Sequence, residues 1–268
     1  MSRPWALAPG LLLLLAGCSP SPDKLKATLK QHPEILAEAI REHPAEIMEA
    51  LQAASDSYQK VAQARAAVAE DERIERELAA PRRPSLAGAR AVRGRREAPV
   101  TIVIYSDFQC PYCRRDVPVL EALLRKYPDQ VRLLLKQTPL ASHPYGRPAA
   151  EMFEALVRQD PTKAWNYYDL VFGNQERLGR EGIAYLEMAA RETGADLARA
   201  RRDAAGPEVK AVIDADLAEF ESFGFSGTPV FLINGVMLDG ARPQEAFDRI
   251  IQRVLAANGA GSPVEKSP

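Results

Sequence analysis

The stretch TIVIYSDFQCPYC, Thr101 to Cys113, decides how this chain is read. Thr101 to Tyr105 is an apolar, β-branched run, the composition of a buried strand. Ser106 to Gln109 leaves that strand, and Arg114 to Lys126 has the pattern of an amphipathic helix, with a kink expected at Pro118. Cys110 and Cys113 therefore sit at a strand-to-helix junction, at the start of the helix. Unpaired backbone N–H groups and the helix dipole favour an anion there, so a thiolate is favoured over a thiol. Only Pro111 and Tyr112 separate the two sulfurs, so a disulfide can close within one helical turn. The combination is a reversible dithiol/disulfide couple. Cys110, nearer the helix start and the surface, is expected to be the nucleophile, and Cys113 the more buried, resolving thiol.

Other uses of a CxxC pair fit less well. A tetrahedral zinc site needs four ligands, and the catalytic half of the chain adds only His143. No metal is expected. A structural disulfide across so short a loop gains little chain-entropy stabilisation. Copper(I) binding suits soft thiolates and is kept as the alternative, in a lipid-anchored binding or scaffold protein without exchange activity.

Outward from this centre the chain divides into segments. It has 268 residues, 46% of them hydrophobic, and a formal net charge of −1, which allows a sizeable core and gives no pointer to nucleic acid. Met1 to Gly17 reads as a targeting segment: Arg3 supplies a positive start and Ala6 to Leu15 an apolar stretch too short to span a membrane. Leu15–Ala16–Gly17–Cys18 resembles a bacterial lipobox, which implies cleavage before Cys18 and lipidation of that residue. Disulfide chemistry belongs outside the cytoplasm. Ser19 after the lipid cysteine points to a periplasm-facing outer membrane in a Gram-negative cell.

Residues 18–80 read as helical and carry an internal repeat. Leu25, Leu36, Ile47 and Tyr58 recur every 11 residues, as do Leu29, Ile40, Leu51 and Ala62, and so do His32–Pro33 and His43–Pro44. Eleven residues make three helical turns, so one apolar stripe persists along the segment. Pro33 and Pro44 are expected at the first positions of new helices. The two histidines, about 16 Å apart along a helix axis, are too distant to share an ion. The stripe is covered either by the catalytic domain or by further copies of the chain. Self-association into a dimer or trimer is the preferred reading. Residues 81–98, rich in Pro, Gly and Arg, read as a basic linker, a solvated spacer or a contact with anionic lipid.

The catalytic domain is expected over 99–257. Val131 to Lys136 is a second buried strand, 148–206 a helix-rich stretch, and Glu208 to Phe223 a further helix. Trp165, Tyr167, Tyr168 and Phe172 form an aromatic cluster, read as core. Val230 to Ile233 and Val236 to Leu238 flank Asn234–Gly235 as a hairpin, Gln244 to Ala257 closes the domain, and 258–268 is a disordered tail.

Two of these stretches carry a family likeness. SDFQCPYC and GFSGTPVFLING, Gly224 to Gly235, together resemble the thioredoxin fold, and within it the DsbA-like branch of bacterial envelope thiol oxidoreductases. The likeness runs from about Ala98 to Leu255. It implies an α/β, thioredoxin-like fold with a helical insertion at 148–206, preceded by the N-terminal helical segment. It implies a cis peptide at Pro229, with the Thr228 backbone pairing with an extended substrate and its hydroxyl near the sulfurs. Substrates would be exported proteins with thiols or disulfides, and a membrane redox partner would reset the couple, with no cofactor. Members often carry a buried acid six residues before the nucleophile, but here that position is Ile104. The candidate proton relay for Cys113 is therefore Asp107, Lys136 or water. Pro111–Tyr112 in place of Pro-His implies a milder oxidant and resembles isomerase-like relatives, which are also oligomeric.

Overall fold

The computed structural model describes residues 21–86 and 91–260. The targeting segment, Cys18 and residues 261–268 lie outside it. The chain forms two compact units, divided between Val68 and Ala69.

The first unit is helical. Ser21 caps α1 (Pro22–Gln31) by accepting from the Lys24 N–H, and Pro33 opens α2 (Pro33–Glu42). Pro44 opens α3 (Pro44–Ala79). Each proline takes the place where its missing N–H costs nothing. The chain breaks at His32 and His43, whose backbone N–H groups close the preceding helices on Thr28 and Ala39. Leu25, Leu36, Ile40, Met48, Leu51 and Tyr58 are exposed within this unit.

The second unit begins inside α3, at Ala69, rather than at residue 99. Ile74 is buried in the core with Leu78 packed beside it. The Arg73 guanidinium donates to the Met237 carbonyl at 2.9 Å, and the Met237 N–H donates to the Glu77 carboxylate at 2.7 Å. The 81–98 stretch also belongs here. Arg82 N–H donates to the Gly235 carbonyl at 3.2 Å, and β1 (Val92–Gly94) pairs antiparallel with the sheet. Three residues are too few to show periodicity in the sequence. Gly94 has a positive φ of 100°, and a Cβ there would meet the Val131 carbonyl at 2.9 Å.

The sheet has the order β1-β3-β2-β4-β5. At its centre β2 (Val100–Ser106) runs parallel to β3 (Val131–Gln137) and antiparallel to β4 (Val230–Ile233), which pairs with β5 (Val236–Asp239). Every residue of β2 is buried because both faces are covered. Ile102 and Ile104 face the core shared with α4 (Pro111–Lys126) and α11 (Gln244–Ala260). Val103 and Tyr105 face a second cluster with Phe220 of α10 (Pro207–Ser222). Pro118 lies inside α4, which continues through it. The β4–β5 hairpin turns on Asn234 (φ 46°) and Gly235 (φ 92°), both left-handed as a type I′ turn requires. The final helix runs past the expected end at 257, to Ala260.

Between β3 and α10 the insertion folds as five helices: α5 (Gly146–Val157), α6 (Pro161–Gly173), α7 (Gln175–Glu181), α8 (Ile183–Glu192) and α9 (Leu197–Ala205). The aromatic cluster is core. Phe108, from the turn after β2, stacks on Phe172 at 5.1 Å between centroids and also meets Phe153, Tyr167 and Tyr168. One side chain of the motif thus anchors the insertion to the catalytic turn.

The α10 face of the sheet also holds a buried charge group. Lys136, 1% exposed, places its ammonium 3.3 Å from Asp216 and 2.6 Å from Glu219, which also accepts from the Tyr105 hydroxyl. Removing the cation leaves two carboxylates in low dielectric. Lys136→Met is expected to destabilise the fold by about 3 kcal/mol in urea denaturation; an unchanged midpoint would mean the pair contributes nothing net.

Candidate active site

The site is made by the turn that joins β2 to α4. Asp107 holds that turn. Its buried carboxylate accepts from the Gln109 N–H at 2.7 Å, from the Leu140 N–H at 2.8 Å and from His143 Nδ1 at 2.6 Å. A Cβ on Gly146 would come within 2.7 Å of the same carboxylate. Gln109 in turn accepts from the Tyr145 N–H at 2.8 Å. Gln175, at the start of α7, donates to the carbonyls of Phe108 (2.8 Å) and Cys110 (3.0 Å). No sequence pattern points to Gln175, because it acts through backbone groups 65 and 67 residues away.

Cys110 is the N-cap of α4, with extended backbone (φ −72°, ψ 121°), and Pro111 is the first helical residue. Both cysteines are free thiols. Exposure does not separate them as expected: Cys110 is 3% exposed and Cys113 2%. Acidity does. The Cys110 thiol is brought down to about 5, chiefly by a hydrogen bond from Cys113, against the opposing effect of burial. The Thr228 hydroxyl and the N–H groups of Cys113 and Tyr112 add to the lowering. Thr228 Oγ1 makes no hydrogen bond of strict geometry, so its part is that of a weak donor. The Cys113 thiol is pushed well above the ordinary thiol range, first by burial and then by the neighbouring Cys110, while the Asp107 N–H and the Ser106 hydroxyl pull the other way.

The second motif closes over the sulfurs. The Thr228–Pro229 peptide is cis, and Cys110 Sγ lies 3.4 Å from the Thr228 carbonyl. The Pro229 carbonyl accepts from the Gly240 N–H at 3.0 Å, which ties the loop to the end of β5. Tyr112 stands outside, 54% exposed, with the Arg115 guanidinium 5.0 Å from its ring centre.

Neither candidate relay is free for proton transfer. Lys136 is held by Asp216 and Glu219 on the α10 face, and Asp107 spends its oxygens on the turn. Ile104 is a core residue of β2. The acid near the sulfurs is Asp116, 2% exposed, which the sequence reading passed over. A cue existed: Cys113, Asp116, Leu120 and Leu123 are the buried positions of α4, so an aspartate stands in its apolar stripe.

A family model described as thioredoxin matches residues 86–253, more than half of the chain, and the chain belongs to that family. It is 36% identical over 167 residues to a protein named Na(+)/H(+) antiporter NhaA 3 from Salinispora tropica, covering 62% of this chain and 25% of that protein. The chain thus spans about a quarter of the first such relative. It is 30% identical over 149 residues to a probable disulfide bond formation protein D from Bacillus cereus, covering 53% of this chain and 68% of that one. Among solved structures, a thioredoxin-like oxidoreductase from Silicibacter pomeroyi aligns with a TM-score of 0.56 at 27% identity, over 63% of this chain and 94% of that one.

Alkylation by iodoacetamide should separate the two thiols. Only the thiolate reacts, so the rate at Cys110 is expected to rise through a midpoint near pH 5 and to be flat by pH 7, with Cys113 unmodified throughout. A midpoint in the ordinary thiol range, near pH 8.5, would contradict the assignment.

Proposed function

We propose that this chain is an envelope thiol:disulfide oxidoreductase that forms, isomerises or reduces disulfides in exported proteins through Cys110 and Cys113. The observation that carries the reading is the opposed acidity of two adjacent thiols beside the Thr228–Pro229 loop. A low-pKa sulfur is both a standing nucleophile and a good leaving group, and a high-pKa sulfur beside it is the natural resolving group. The name of the Bacillus relative supports the same chemistry.

In oxidation, a substrate thiolate attacks Cys110 Sγ of the Cys110–Cys113 disulfide. The S–S bond breaks, a mixed disulfide forms on Cys110, and the electron pair goes to Cys113 as thiolate. A second substrate thiolate attacks the substrate sulfur of that mixed disulfide, and Cys110 leaves as thiolate. Reduction is the reverse, with Cys113 attacking Cys110 Sγ and expelling the substrate. The Thr228 backbone beside Cys110 is placed to pair with an extended peptide, as in strand addition. The reading includes a lipid anchor at Cys18, a periplasm-facing location and a membrane redox partner. No described helix is long and apolar enough to cross a membrane.

The reduction potential tests the direction. Stabilisation of the Cys110 thiolate favours the reduced form, so equilibration with glutathione is expected to give a value between about −180 and −120 mV. A value near −270 mV would make the protein a thioredoxin-like reductant. Cys110→Ser is expected to abolish exchange.

We further propose that the exposed stripe on the N-terminal helices joins copies of the chain into a dimer or trimer. Leu25, Leu36, Met48, Leu51 and Tyr58 are exposed along helices that bury nothing else in their own unit. Light scattering is expected to give a dimer or trimer for the protein and a monomer for the Leu36→Glu/Leu51→Glu variant. A monomeric parent would refute this.

A further inference from the structure

Asp116 sits where the exchange reaction needs a proton to go. It lies on α4 three residues after Cys113, and both side chains are 2% exposed on the buried face of that helix. Residues three apart on a helix are neighbours, with Cβ atoms about 5–6 Å apart. Asp116 Oδ2 is buried and has no hydrogen-bond partner among the described residues. The carboxyl receives one donor, the Arg242 backbone N–H, from the loop before α11. The Arg242 guanidinium itself is turned away, with Nε donating to the Asp239 carbonyl.

Beyond that one N–H of the loop before α11, no cation among the described residues pairs with the carboxyl. Buried polar atoms are nearly always hydrogen-bonded, and one without a partner calls for a functional explanation. The titratable groups that act on it electrostatically are Cys110, at the start of its own helix, and Tyr168 from α6, neither of them a cation, and Cys113 lies one helical turn back on the same buried face.

We propose that Asp116 takes the proton from the Cys113 thiol during resolution and returns it in the reverse direction. The inference rests on the exchange reaction proposed above. In the mixed-disulfide state, the Asp116 carboxylate accepts the proton as the Cys113 sulfur forms its bond to Cys110 Sγ. The bond from Cys110 to the substrate breaks, and the electron pair leaves on the substrate sulfur. In oxidation, the Asp116 carboxylic acid protonates the Cys113 thiolate that the attacking substrate expels.

The electrostatics of the site run in the required sense. Burial raises the Asp116 carboxyl to about 7, with a further rise from the Cys110 thiolate, against the Arg242 N–H. When Cys110 is bonded to substrate, its charge is gone and that part of the rise disappears. The carboxyl then ionises at lower pH, so Asp116 is a base at the step that needs one. Its ordinary value lies near 3.9, too low for a base matched to neutral pH.

The test follows the two phases of reaction between reduced protein and a fluorogenic peptide disulfide from pH 5 to pH 9. The second phase, closure of Cys110–Cys113, is expected to rise through an inflection just below pH 7 in the wild type, because the Cys110 charge that helps to raise Asp116 is absent from the mixed disulfide. Asp116→Asn should slow it about 10²-fold and remove the inflection. The first phase, carried by the Cys110 thiolate, should be retained, and Asp116→Glu should recover part of the second. A packing role alone would lower thermal stability without moving the pH profile. An Asp116→Asn protein with wild-type second-phase rate and profile would overturn the inference while leaving the proposed function standing. If Asp116→Asn does not fold, a wild-type second phase with no inflection between pH 6 and pH 8 overturns it alone. A wild type without any exchange would overturn both.

Discussion

Everything at this site depends on the hold that Asp107 keeps on a four-residue turn, Asp107 to Cys110. A strand ending and a helix beginning must be brought within one turn of each other, and the donors left by that change of direction need a partner. Asp107 accepts from one of them, the Gln109 N–H, and also from the Leu140 N–H and His143 Nδ1 of the loop after β3. Phe108, the next residue, is fixed among the rings of α5 and α6. Gln175 then takes the carbonyls of Phe108 and Cys110. The sulfurs are positioned by groups that never touch them, which is how a reactive pair is held without being quenched.

The two faces of the sheet divide the charge. Lys136 and its carboxylates lie on the α10 side, and Asp116 with the thiols lies on the α4 side. The alternation of β2 and β3 enforces the split, since neighbouring residues on a strand point to opposite faces. A lysine next to the thiols would lower both of their pKa values and blur the difference between them. With the cation on the far face, Cys110 depends first on the Cys113 thiol and then on the Thr228 hydroxyl and the N–H groups of the first turn, which favour one sulfur over the other.

The sheet's centre and the catalytic turn were legible because local pattern determines them. Val100 to Ser106 is apolar on both faces, CPYC opens a helix on a proline, and Asn234–Gly235 meets the φ requirement of its turn. Pro33 and Pro44 opened helices for the same local reason. What was not legible depends on contacts distant in sequence. Val92 to Gly94 becomes a strand only because β3 offers an edge to it. The end of α3 joins the second unit through Ile74, Arg73 and Glu77, whose partners lie some 160 residues on. Asp107, just after β2, and Lys136, near the end of β3, are ionisable, and the sequence does not show what either one pairs with. Their partners, His143, Asp216 and Glu219, are brought to them by the fold.

The balance at Cys110 also bears on the direction of exchange. Burial opposes the thiolate, and the hydrogen bonds from Cys113, Thr228 and the first turn of α4 outweigh it. These bonds stabilise a charge that exists only when Cys110 is reduced and unbonded. A disulfide at Cys110 cannot benefit from them, so the oxidised and mixed-disulfide states lack a stabilisation that the reduced state has. The same acidity makes Cys110 a weaker nucleophile per thiolate and a better leaving group. Both consequences favour passing disulfides on and reversing a wrong attachment quickly over holding electrons for reduction. That balance supports the oxidising or isomerising direction proposed above.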